Sequence, residues 1–129
     1  MNDITIVENV IPAGDYELDF LIQKNGTLVL SFLSEQSKVS INYGYQYIMY
    51  RGSDEGDRLR TINFYLKGKD KNFFKDNLMF MVTNSDFVEW IKKEQYGMFE
   101  SREMVHHMFV TNNDIIDVVA TNFPVIAVD

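Results

Sequence analysis

Between Asp15 and Ile22 apolar and polar side chains alternate, with Tyr16, Leu18, Phe20 and Ile22 set against Glu17 and Asp19. A period of two predicts a half-buried strand. Asn25-Gly26 follows, the dipeptide that best tolerates the positive φ angles of a tight hairpin turn. The chain then returns from Thr27 to Phe32 with Leu28, Leu30 and Phe32 on one face. Next, Val39, Ile41, Tyr43, Tyr45 and Tyr47 recur at every second position. Gly44 within that run predicts a bulge or a close backbone approach. A turn at Gly52 to Gly56 leads into Arg58 to Leu66, where Ile62, Phe64 and Leu66 alternate with Thr61, Asn63 and Tyr65. Gly68 to Asn77 is polar and basic apart from Phe73-Phe74 and reads as a loop, and Leu78 to Val82 reads as a central strand.

The helical signal comes after Thr83. Asn84, Ser85 or Asp86 can cap it, and Asp86 with Glu89 has capping-box spacing. Phe87, Trp90 and Ile91 form one face, which Gln95 can extend, and these three are expected to bury against a sheet. Lys92 and Lys93 suit the negative end of the helix dipole, and Gly97 can close the helix in a left-handed conformation. Val105 to Thr111 reads as a strand, Asn112-Asn113-Asp114 as a turn, and Ile115 to Ala120 and Val125 to Val128 as further strands. The predicted fold class is α+β in a single domain, residues 1–129. It is mainly antiparallel β-sheet, as a sandwich or partial barrel, with one principal α-helix near residues 85–96.

Composition narrows the function classes. At 129 residues, 46% hydrophobic and 14% aromatic, the chain has enough apolar surface for a packed core. It has no cysteine, so disulfide frameworks and thiolate chemistry are excluded. The start, MNDITIVENV, has acids where a signal peptide needs bases, and no apolar stretch approaches the roughly 18 residues that span a bilayer. A cytoplasmic protein is the expectation. The net charge of −7 is uneven. No Lys or Arg precedes Lys24 or follows Met104, whereas Arg58, Arg60, Lys67, Lys69, Lys71 and Lys75 crowd the middle. Membrane surfaces and nucleic-acid backbones are negative, so neither is an expected direct partner.

No catalytic motif stands out. His106-His107 invites a metal or a general base, but neighbouring side chains on a strand point to opposite faces. The pair therefore cannot chelate one ion, and one ring is expected toward the core or helix and the other toward solvent. Ser53 to Asp57 resembles a calcium loop only superficially, because its acids are adjacent instead of alternating. Flanked by Arg51 and Arg58, it reads as a turn closed by local ion pairs or as a charged recognition loop. Asp114 is expected to supply turn chemistry and not to pair with Asp117. The tyrosines Tyr43, Tyr45, Tyr47 and Tyr50 suit either an interface or a core with hydroxyls at the rim. The basic stretch Lys67 to Lys75, with Phe73 and Phe74, bears a loose likeness to nucleic-acid binding loops, against which the net charge argues. No cofactor or metal is implied.

Several strings together resemble a family of small cytosolic proteins of Gram-positive bacteria. They are Tyr50-Arg51 with Asp54-Glu55-Gly56, Asn84-Ser85-x-Phe87-x-x-Trp90, His106 with Thr111, Asp117-Val118 and Pro124. Where the family pattern has His-Tyr, this chain has His106-His107. The resemblance implies a protein similar to the small acidic immunity proteins that accompany secreted toxins, and it brings no catalytic residues.

Four functions compete. The first is a binding protein of immunity type that holds a basic toxin domain inactive, its acidic face speeding capture. Tyr45, Tyr47, Asp54, Glu55 and Asp57 are its candidate partner-binding residues. The second is a nucleic-acid mimic that inhibits a DNA-handling protein, which needs a denser acidic stripe than this chain shows. The third is an enzyme with His106 or His107 as base and Asp117 or Glu55 as orienting carboxylate, in a buried pocket with shifted pKa values. The fourth is a structural or homo-oligomeric subunit using Ile115 to Ala120 as a sheet edge. A convergent polar pocket favours an enzyme, and a flat acidic patch with exposed aromatics favours binding.

Overall fold

The computed structural model describes residues 2–58, 62, 64, 65, 67, 72–98 and 102–129. Two antiparallel sheets are formed among them. One has five strands in the order β1 (Asp3–Ile6), β6 (Met79–Thr83), β7 (Val105–Val110), β8 (Asp114–Ala120) and β5 (Tyr47–Asp54). The other has four, in the order β2 (Glu17–Lys24), β3 (Thr27–Leu33), β4 (Lys38–Gly44) and β9 (Val125–Val128). The helix α1 (Asp86–Glu94) follows β6. The mainly antiparallel α+β fold is as the sequence pattern predicts.

The sheets pack face to face. Leu28, Leu30 and Phe32 of β3 and Val39, Ile41 and Tyr43 of β4 meet Met79, Phe109, Ile116 and Val118 of the larger sheet. Phe32 and Phe109 stack at its centre, with ring centroids 5.4 Å apart. The larger sheet is covered on its other face as well. Phe87 and Ile91 of α1 press on Val119, while Tyr65, Phe73 and Phe74 cover Phe80, Met108 and Ile115. Both faces of β7 and β8 are therefore dry, which explains why their apolar runs are nearly continuous.

The Asn25-Gly26 hairpin forms as expected. Both residues have positive φ, 53° and 81°, and Lys24 pairs with Thr27 across them. Opposite Gly44, a register irregularity between Leu28 and Val29 fits the expected bulge. Other expectations need correction. A bulge between Leu18 and Phe20 shifts the alternation in β2. Leu18 and Leu21 then pack on the core, and Phe20 and Ile22 are exposed. One extra residue moves every later side chain to the other face. The run from Val39 to Tyr47 is two strands, because the chain turns after Gly44 and Gln46 N–H bonds the Tyr43 carbonyl.

Near 58–66, where the alternation suggests a strand, the described residues do not form one. Strand β5 continues to Asp54, a 3-10 turn spans Glu55–Arg58, and the described residues 62, 64 and 65 are helical. Tyr65 is buried and Phe64 exposed. Strand β8 lies between β7 and β5, so Ile115 to Ala120 is an interior strand and offers no open edge. No helix among the described residues is long and apolar enough to cross a membrane.

Candidate functional site

Odd-numbered residues of β8 face the helix, and this places Asp117 between Ile115 and Val119 on the covered outer face of the larger sheet. The carboxylate is 1% exposed. Burial alone costs a charged group several kcal/mol or more, so partners must converge on it. Three do. On β5, Arg51 is paired directly opposite Asp117, and its Nε lies 2.9 Å from Oδ2. Arg58, at the end of the 3-10 turn, folds back so that Nη1 lies 3.1 Å from the same oxygen. On β7, His106 is opposite Val119, and its ring leans diagonally until Nε2 is 2.7 Å from Oδ1.

Ser85 completes the chain of contacts. It is the N-cap of α1, and its Oγ accepts the Val88 N–H at 3.1 Å. The same Oγ lies 2.6 Å from His106 Nδ1. An ionised Asp117 can only accept, so His106 presents Nε2–H to it. Its other ring nitrogen, Nδ1, is the one held by the Ser85 hydroxyl. Burial raises the Asp117 pKa, but the hydrogen bond and charge of His106 and the Arg51 guanidinium outweigh it and hold the carboxyl at about 2. Asp117 thus stays charged, and both nitrogens of His106 are engaged.

A cleft of about 520 Å³ opens over this network. His106 and Asp117 contribute to its lining, with Arg51, Arg58, Tyr65, Phe87 and Trp90 around them. The Arg51 guanidinium carbon sits 4.2 Å above the centre of the Phe87 ring, and Phe87 stacks on Trp90 at 6.2 Å. Trp90 is expected from its spacing to be buried, yet it is 48% exposed. Phe87 and Ile91, one turn apart, point at the sheet, and Trp90 falls to the flank, where it forms the rim. A second groove, of about 590 Å³, is lined by Asp15, Glu17 and Glu35 among loop residues and lies away from these groups.

The two histidines face opposite ways, as strand geometry requires, but neither faces solvent. Both sides of the sheet are covered, and that corrects the expected solvent-facing ring. His107 points into the core between the sheets, where Nδ1 is 2.8 Å from the Tyr43 hydroxyl and Nε2 has no hydrogen-bond partner among the described residues. Desolvation, with help from the charge of His106, lowers its pKa to about 4. Asp114 starts β8 on the face opposite Asp117, and its N–H and carbonyl close the turn with Thr111.

The residues expected to bind a partner are not gathered into one patch. Tyr45 is 78% exposed in the β4–β5 turn, and Tyr47 is half-buried against Tyr50, with rings 6.0 Å apart. Asp54 is at the far end of β5, exposed, accepting the Gly56 N–H at 2.7 Å. The side chains of Glu55 and Asp57 lie outside the described residues. The arginines flanking this turn do not simply close it with local pairs, since both reach Asp117. The sequence reading paired His106 with Asp117 only as an enzyme option and missed both arginines. One signal could have found them: Asp117 is a lone acid within the apolar run Ile115 to Ala120, and such an acid needs buried partners.

Among the described residues, no group of three His, Cys, Asp or Glu side chains is placed to hold a metal ion. Comparison with known proteins finds no matching family model, no matching curated protein and no matching solved structure.

Proposed function

We propose that this is a small acidic binding protein that captures a protein partner through the Trp90–Arg51 cleft, in the manner of an immunity protein holding a toxin domain inactive. The observation that carries the reading is the way Arg51 is presented. Asp117 holds its Nε, Phe87 supports its face, and Trp90 stands exposed beside it. Trp, Tyr and Arg dominate binding energy at interfaces, and an anchor already fixed loses less freedom on association. The net charge of −7 would steer a basic partner toward the protein before the cleft locks it.

The test is affinity capture from the native cell, followed by binding kinetics of the captured protein at two salt concentrations. Trp90→Ala should speed dissociation by roughly tenfold or more. Reversing Asp54, Glu55 and Asp57 to Lys should slow association at low salt with less effect at high salt. A complex indifferent to Trp90→Ala would remove the cleft from the interface.

A second reading has one specific observation in its favour, the Ser85–His106–Asp117 chain with contacts of 2.6 and 2.7 Å. Such an order can activate a serine for acyl transfer. Against it, Ser85 Oγ already caps α1, the residue is 7% exposed, and it does not line the cleft. Labelling of Ser85 by a fluorophosphonate, lost in His106→Ala, would raise this reading above the first.

A further inference from the structure

Arg51 is half spent. Its Nε is engaged by Asp117, and its Phe87 contact covers one face. No described residue bonds either of its Nη atoms, and the side chain is 47% exposed. The two terminal nitrogens of a guanidinium form a planar fork that matches the two oxygens of a carboxylate. Here that fork is held in place before any ligand arrives.

A second observation lies two residues further along β5. Ser53 is on the same face as Arg51 by strand periodicity. Its hydroxyl is shut off from solvent and has no hydrogen-bond partner among the described residues. Arg51, Ser53 and Arg58 together line a depression of about 370 Å³ that adjoins the larger cleft through the two arginines. The guanidinium fork stands between this depression and the larger cleft, whose aromatic lining includes Trp90.

We infer that this site binds a carboxylate carried next to an aromatic group, with the carboxylate on the Arg51 fork and the aromatic ring against Trp90. The inference deepens the capture reading and rests on it: the partner inserts one acidic anchor into an otherwise acidic protein. Two sources carry that chemistry, a glutamate side chain within a chain and the carboxylate at a chain's end.

Trp90 is the single tryptophan, so its fluorescence reports on the cleft directly. Three probes are titrated: N-acetyl-glycyl-phenylalanine with a free carboxylate, N-acetyl-glutamyl-phenylalanine amide, and the neutral N-acetyl-glutaminyl-phenylalanine amide. At least one acidic probe should bind about tenfold tighter than the neutral one, and the tighter of the two identifies the source. Arg51→Ala should remove that preference, and Arg51→Lys should restore only part of it. Thermal melting of each variant confirms that it is folded. If both acids bind no better than the neutral probe, or the preference survives in folded Arg51→Ala, the inference is overturned. The two readings fail separately. A captured partner lost in Trp90→Ala but retained in Arg51→Ala leaves the cleft as an interface and removes the carboxylate. A partner indifferent to both variants removes the cleft itself.

Discussion

Arg51 and Asp117 face each other across the β5–β8 ladder, in register, with Nε 2.9 Å from Oδ2. The pairing joins the edge strand of the larger sheet to its interior and turns one arginine into a fixed feature of the surface. Strand register sets the two side chains opposite each other, and Phe87 of α1 holds the guanidinium from its other side. Arg58 bonds the same oxygen and His106 the other, so the charge is compensated from three elements.

Removing that charge should therefore be costly although the side chain keeps its shape. Asp117→Asn removes the charge that Arg51, Arg58 and His106 share and turns an NH2 donor toward either the arginines or His106. A loss of about 3 kcal/mol is expected, in the range for breaking one side of a buried pair. Urea denaturation checks this, with a lower midpoint and an unchanged slope.

Stability should fall with acid in two stages. His107 has its folded pKa lowered from 6.5 to about 4, so its contribution is fully present above 6.5. As pH drops from 6.5 toward 4, the unfolded chain takes up a proton that the folded chain refuses, and stability declines by about 3 kcal/mol. Asp117 acts lower. Its folded pKa of about 2 lies below the ordinary 3.8, so its contribution is present above 3.8 and lost as pH falls through 2. Chemical denaturation at a series of pH values should show His107→Gln without the upper stage and Asp117→Asn without the lower.

Two aromatic residues of one helix should behave differently. Phe87 is buried on Val119, and Phe87→Ala should cost roughly 3 kcal/mol. Trp90→Ala removes a half-exposed ring and should cost about 1 kcal/mol or less. A Trp90 variant as unstable as the Phe87 variant would mean that the indole packs more deeply than the cleft geometry allows.

The hairpin turn should resist a branched side chain. Gly26 has φ of +81°, and a Cβ there would meet Tyr45 Cδ1 at 3.4 Å. Gly26→Val should destabilise by about 1 kcal/mol or more, mainly through backbone strain. A thermal melt unchanged from wild type would contradict this.

The sequence by itself determined the elements whose signals are local. The Asn25-Gly26 turn, the helix after Thr83 and the opposed faces of His106 and His107 follow from dihedral preference, capping and strand periodicity. What lay beyond those signals was decided by packing. The bulge after Leu18 reverses the faces of Phe20 and Ile22, and an alternating pattern near residue 62 is helical where it is described. Pattern gives a period, but only neighbours say which face is covered. Trp90 has the spacing of a core residue and stands on a rim because α1 is rotated by Phe87 and Ile91 against the sheet. The site itself was the least legible part. Asp117 collects Arg51 across one ladder, His106 diagonally across another and Arg58 from a turn, at sequence separations of 66, 11 and 59 residues. No local motif encodes such a convergence. It exists because sheet order brings β5, β8 and β7 side by side, and a carboxylate buried there has to gather its compensating charge from whatever the tertiary fold sets around it.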